Sequence, residues 1–219
     1  MKAAGPIMHL FAELMILLCF LLSAAHAIGR HGREGAGFFG ALLLLGLARE
    51  NFVVLRDLLY GFAPLRMMLG RAPLIAAIIW GFSIYAALLW AESVSADGGA
   101  LLGRRAAPSP SPARPLPSVA MSFGLVGLFM IALACFYEPF LKRIEMARWQ
   151  AGTQAILDVP LMALIGYPTM AWTFLALWLA VRTWVRARAL RVIALVGLIP
   201  PLAIAHAAAL QELKDALHW

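Results

Sequence analysis

The hydrophobic positions of the chain fall into six long runs, separated by short clusters of charge, glycine and proline. The runs extend from about Ile7 to Ile28, Ala36 to Val54, Pro73 to Trp90, Val119 to Tyr137, Asp158 to Arg182 and Leu190 to Leu210. Each comes close to or exceeds the roughly 20 residues that an α-helix needs to cross the hydrocarbon core of a bilayer. Backbone polar groups in lipid must be paired within the protein, so helices are the natural form for such runs. The pattern predicts an all-α, polytopic membrane helix bundle of six transmembrane helices, forming one domain over residues 1–219. Between the third and fourth runs, Ser93 to Ser118 carries Pro108-Ser109-Pro110-Ser111-Pro112 and reads as an extended, mobile loop with no core of its own.

Composition agrees with the pattern. The chain is 63% hydrophobic and 13% charged, far from soluble globular usage. Its formal charge of +7 comes mostly from arginine, which in a bilayer serves topology and contact with anionic lipid rather than nucleic acid. Cys19 and Cys135 sit inside apolar runs, match no metal or redox spacing and are expected as buried free thiols. His9, His26 and His206 stand on separate runs and form no metal motif, so no metal is expected. The first run, preceded by Lys2 and followed by Ala25-His26-Ala27, resembles a signal peptide, but His9 and Glu13 interrupt it and favour a retained helix.

Polar residues gather where the runs end. The second begins with small residues, Ala36 and Gly40, spaced for close helix contact. It ends in Arg49-Glu50, with Arg56-Asp57 seven residues on; both acids share a face if the helix continues. Such pairs form either a self-neutralising, solvated helix end or the lining of a pocket. The fourth run ends in Tyr137-Glu138-Pro139, where proline is expected to break or turn the helix. Glu138, Lys142, Glu145 and Trp149 are then spaced for one side of a new helix. An ionisable group at this depth is expensive and therefore a functional candidate. The plainer alternative is an interfacial turn with Trp149 anchored among headgroups.

Six spans put both termini and the connections 2–3 and 4–5 on one side of the membrane. That side carries Glu50, Asp57, Glu138, Glu145, Asp158, Glu212 and Asp215, whereas the other has Glu34, Glu92 and Asp97. His9, Glu13 and His206 lie in the membrane half nearest the acid-rich side. Lysine and arginine divide evenly and do not orient the molecule; the turn with Arg182, Arg186, Arg188 and Arg191, with no acid near it in sequence, favours the cytoplasm. The stretch from Ala72-Pro73-Leu74 through Trp80 to Trp90 also parallels Val159-Pro160-Leu161 through Trp178. A parallel repeat of helices 2–3 and 4–5, with a pocket between them, is therefore expected.

The segment from Arg49-Glu50 through Tyr60-Gly61, Pro73-Leu74, Trp80 and Tyr85 resembles one half of the membrane carotenoid hydratase family, which includes bisanhydrobacterioruberin and gamma-carotene hydratases. Glu138-Pro139, Trp149, Asp158-Val159-Pro160-Leu161 and the Trp172 helix resemble the other half. The chain departs from the family in having one Trp after the acid-Pro pair, in replacing a glycine-containing form with Asp158-Val159-Pro160, and in its short length. The resemblance implies addition of water to a terminal isoprenoid double bond of a carotenoid, with no redox cofactor required. A neutral carboxyl would protonate the alkene, and removing a carboxyl from water favours its neutral form. Glu50 and Glu138 are the candidate acids, with Asp57 or His206 positioning water. Tyr60, Trp80 and Trp149 would face the resulting cation, with Asp158 beside the substrate.

Two other classes fit the same sequence. One is a non-catalytic membrane subunit that binds a pigment or lipid, or packs in a larger membrane-protein complex. The other is a transporter with Glu13 and His206 as a proton relay. The lipid bilayer, most simply a bacterial inner membrane, is the environment under every reading.

Overall fold

A computed structural model describes residues 6–56, 58–62, 68–94 and 119–218. Among these residues there are six helices: α1 (Pro6–His31), α2 (Arg33–Leu55), α3 (Leu74–Val94), α4 (Val119–Arg143), α5 (Leu161–Trp184) and α6 (Arg188–Ala216). All six are long and apolar enough to cross a membrane, and the chain is an integral membrane protein. The Pro/Ser-rich stretch and Asp57 lie outside the described residues.

α2 to α6 form a ring in which successive helices pack together and α6 closes back onto α2; α1 leans on α2 and α3 from outside. α3 is covered on nearly every side. The outer faces of α1 and α6 instead expose Leu14, Leu18 and Leu21 or Ile193 and Val196, which lipid would solvate as well as a core does. Cys19 and Cys135 are on such outer faces. Their expected burial in the protein is corrected: an apolar run locates a residue in the bilayer, not its direction.

The spans are longer than the hydrophobic runs because charged residues continue the helices. The basic segment between the first two helices shrinks to a reversal at Gly32, whose φ of 61° suits glycine. α4 runs through Pro139 to Arg143, so the expected break is absent. The close approaches of α2 also differ from expectation. Gly40 has open space around its α-carbon, whereas a β-carbon at Gly46 would lie 2.5–2.9 Å from the Ala77 backbone on α3. Gly35 meets α1 at Ala27 in the same way.

Among the described residues the connections 2–3 and 4–5 each contain three short strands: β1 (Tyr60–Phe62), β2 (Met68–Leu69) and β3 (Ala72–Pro73), then β4 (Ala147–Trp149), β5 (Ala155–Ile156) and β6 (Val159–Pro160). β2 pairs with β3 and β5 with β6 as local hairpins, while β1 pairs antiparallel with β4 and sets Tyr60 opposite Trp149. The two connections therefore meet on one side of the bundle. Trp149, expected on a new helix, is on a strand: after Arg143 the chain turns, Glu145 adopts a φ of 55°, and pairing with β1 takes over. The terminal helices are tied to the same side, His9 Nε2 bonding the Ile144 carbonyl at 2.5 Å and Lys214 Nζ donating to Gln150 Oε1.

On the opposite side, Arg30 pairs with Glu92 at 3.2 Å and Arg191 with Glu34 at 3.1 Å, linking α1 to α3 and α6 to α2. The arginine turn thus has an acid close by in space, which removes the basis for orienting the molecule by it.

Candidate functional site

Two buried carboxylates lie beneath the paired strands, and each holds one tyrosine and one tryptophan. Glu50, on the last turns of α2, is 1% exposed. Its Oε1 accepts from Arg49 Nη1 at 2.5 Å and from Trp80 Nε1 at 2.6 Å. The Tyr60 hydroxyl donates to Oε2 at 2.8 Å and to Oε1 at 3.0 Å, and itself receives a bond from Arg49. Glu138, on the last turns of α4, is 6% exposed. Trp149 Nε1 donates to its Oε2 at 2.7 Å and the Tyr167 hydroxyl to its Oε1 at 2.9 Å.

The supporting elements recur in the same order. Each carboxylate is followed by an aromatic residue on a strand, by a proline at the helix entrance and by a second aromatic one turn or two further along: Glu50, Tyr60, Pro73, Trp80, and then Glu138, Trp149, Pro160, Tyr167. Strand pairing brings Tyr60 against Trp149, with ring centroids 4.8 Å apart, and helix packing brings Trp80 against Tyr167 at 5.0 Å. Every tyrosine of the cluster thus touches the tryptophan bound to the other carboxylate. Asn51 helps fix the first half: its Oδ1 accepts from the Arg71 and Ala72 amides at 2.7 and 3.2 Å, holding the β2–β3 hairpin to the end of α2.

The halves differ at the residue before the acid. Arg49 precedes Glu50, is 3% exposed, and lays its guanidinium over the rings of Trp80 and Tyr60 at 4.7 and 5.7 Å. Tyr137 precedes Glu138, and its ring packs edge-on against Phe82 at 6.4 Å. Glu50 is therefore in a buried ion pair, while Glu138 has no lysine or arginine partner among the described residues. Each carboxyl thus has an indole on one oxygen and a tyrosine hydroxyl on the other, and what separates them is the Arg49 cation 2.5 Å from Glu50, for which Glu138 has no counterpart among the described residues. Burial pushes the Tyr60 phenol well above its ordinary pKa, outweighing the opposing pull of the Arg49 cation.

Both carboxylates line one cavity of about 40 Å³, with Tyr60, Trp80, Trp149 and Tyr167 and with apolar wall from Phe62, Ile79, Leu141 and Met162. At roughly 10–15 Å³ per water, that is space for about three waters. A second cavity of about 510 Å³ lies toward the surface, lined by the exposed Lys142, Arg148 and Asp158 with Glu145, Gln150 and Thr153. Glu138, Ala147 and Trp149 belong to both walls.

Of the residues singled out in the sequence, Glu50, Glu138, Tyr60, Trp80 and Trp149 come together here. His206 lines neither cavity and bonds Thr169 Oγ1 at 2.9 Å. Asp158 lies at the outer rim, 67% exposed, where the Lys142 ammonium 2.5 Å away holds its carboxyl below the usual range. It occupies a hairpin turn with Leu157, both at positive φ, a conformation an aspartate tolerates. Sequence reading missed Tyr167 and underrated Arg49. Tyr167 stands seven residues after Pro160 as Trp80 stands seven after Pro73, a spacing contained in the parallel between the two stretches. Arg49-Glu50 and Arg56-Asp57 look alike in sequence, but α2 ends at Leu55 with Arg49 and Glu50 both buried, while Arg56 is exposed and Asp57 lies outside the described residues. The chain matches no family model, no curated protein and no solved structure.

Proposed function

We propose that the protein is a carotenoid biosynthesis enzyme of the bacterial inner membrane that adds water to a terminal isoprenoid double bond. The observation that carries this reading is the pairing, in one aromatic-walled cavity, of an ion-paired carboxylate with a carboxyl that has only neutral partners. Glu138 is the acid. Its proton passes to the less substituted alkene carbon, leaving a tertiary cation on the neighbouring carbon. The Glu50 carboxylate and the faces of Trp149 and Tyr167 stabilise that charge. Water then adds to the cation, and the proton it loses returns to Glu138, so the sum is one water added. Arg49 pairs with Glu50 and occupies the ring faces on its own side, which directs the substrate cation toward Glu138. The matching order of elements in the two halves supports a parallel repeat and, with the quoted residues, the resemblance to the carotenoid hydratases.

The cavity volume favours a second reading. Space for a few waters does not admit an isoprenoid end without side-chain movement, as suits a non-catalytic subunit that binds pigment or lipid elsewhere, or joins a complex. Expression in a carotenoid-producing host separates the two. The enzyme yields hydroxylated carotenoid, and Glu138→Gln abolishes it at unchanged protein level. Unmodified pigment with the wild type, or full product with Glu138→Gln, refutes the assignment.

A further inference from the structure

The proposed reaction consumes water, yet both carboxylates are buried beneath the paired strands, and the two cavities suggest how water reaches one of them. The outer cavity is large and charged around its rim, where Lys142 and Asp158 are 65% and 67% exposed. Its inner wall includes Glu138 and Trp149, which also wall the buried cavity, whereas Glu50, Tyr60, Trp80 and Tyr167 line the buried cavity alone. The indole of Trp149 is held at two points, by its bond to Glu138 and by the Tyr60 ring across the strand pair. Among the described residues, Trp149, Glu138 and the small Ala147 are the ones that line both spaces.

We infer that the outer cavity is an aqueous antechamber serving Glu138, and that Trp149 is the partition between it and the buried cavity. Glu138 then exchanges its proton with bulk water through the antechamber, and Glu50 does not. A partition of this kind leaves the apolar side of the buried cavity free for a ligand from the bilayer while water arrives from the opposite wall. Use of this water in the reaction rests on the hydratase reading; the access route itself does not.

The test uses the full chain in membranes, treated with a water-soluble carbodiimide and glycine ethyl ester and followed by peptide mass spectrometry. The rim carboxylates Glu145 and Asp158 are the positive controls. Glu138 is expected to form the adduct at a rate within about tenfold of the rim, and Glu50 to stay unmodified. A Thr153→Trp variant, which fills the antechamber from its rim, is expected to slow the Glu138 adduct at least fivefold while leaving Asp158 reactive. In a Trp149→Ala variant the Glu138 adduct should form faster. Trp149→Phe, which keeps a ring but loses the bond, covers the case in which the alanine variant fails to fold. Protection of Glu138 equal to that of Glu50 in the wild type overturns the proposal, as does a Glu138 rate indifferent to Thr153→Trp. If the labelling follows expectation and no hydroxylated carotenoid forms in the producing host, the reaction assignment fails and the antechamber stands.

Discussion

Replacing each carboxylate by glutamine tests the asymmetry on which the site assignment depends. In Glu50→Gln the shape is kept, but Arg49, 3% exposed, loses its counter-charge 2.5 Å away. Removing one partner of a buried ion pair costs about 3–5 kcal/mol. For a chain of this size, each kcal/mol lowers Tm by roughly 2–4 °C, so the loss is about 6–20 °C. In Glu138→Gln no ion pair is broken. The amide oxygen still accepts from Trp149, the amide N–H₂ can donate to the Tyr167 hydroxyl, and the cost is about 1 kcal/mol. Thermal unfolding in detergent, followed by tryptophan fluorescence, reads both variants. A third variant, Arg49→Met with Glu50→Gln, removes both charges and should recover at least half of the loss. Equal Tm shifts for the two single variants, or a double variant whose loss is the sum of its parts, would refute the reasoning. Glu138→Gln should therefore lose the proposed acid, and with it product, at a small cost to the fold, whereas any loss of product in Glu50→Gln comes with the larger fall in Tm.

Two further outcomes follow from the same geometry. Gly46→Ala should cost about 1–3 kcal/mol by forcing α2 away from the Ala77 backbone, while Gly40→Ala, with open space around it, should be neutral or stabilise by up to about 1 kcal/mol; paired thermal melts check both. Tyr60 is held protonated by burial, so the folded pKa lies above the unfolded value of 10.0. Its contribution to stability is full below pH 10.0 and declines as pH rises beyond it, so Tyr60→Phe should flatten the alkaline fall in Tm, and difference absorbance near 295 nm should show one fewer late-titrating phenol.

How far the sequence could be read depended on which kind of signal a feature left in it. Span number and side were legible because length and hydropathy decide them directly, and Glu50 and Glu138 were legible because a carboxylate at the end of an apolar run is costly. Direction around a helix was not. α3 is apolar all round, so its pattern has no periodicity to say that Trp80 points inward, and Cys19 and Cys135 look as buried as any core residue until the bundle shows that they face outward. The strands were hidden for a different reason. Ala147-Arg148-Trp149 has no alternation strong enough to announce a strand, and it becomes one because a partner, Tyr60 to Phe62, lies opposite.

The strand pair is also what makes one site out of two helix ends. Without it, Glu50 and Glu138 would each be an expensive carboxylate satisfied by its own tyrosine and tryptophan. With Tyr60 against Trp149 and Trp80 against Tyr167, each half supplies a wall for the other half's acid. Two such halves, if alike in every residue, would hold two equivalent carboxylates with nothing to distinguish proton donor from counter-ion. The difference between Arg49 and Tyr137 breaks that equivalence. A guanidinium in one half fixes one negative charge and fills the ring faces beside it. The half with tyrosine at that position is left with a carboxyl that can carry a proton, next to the cavity that reaches water.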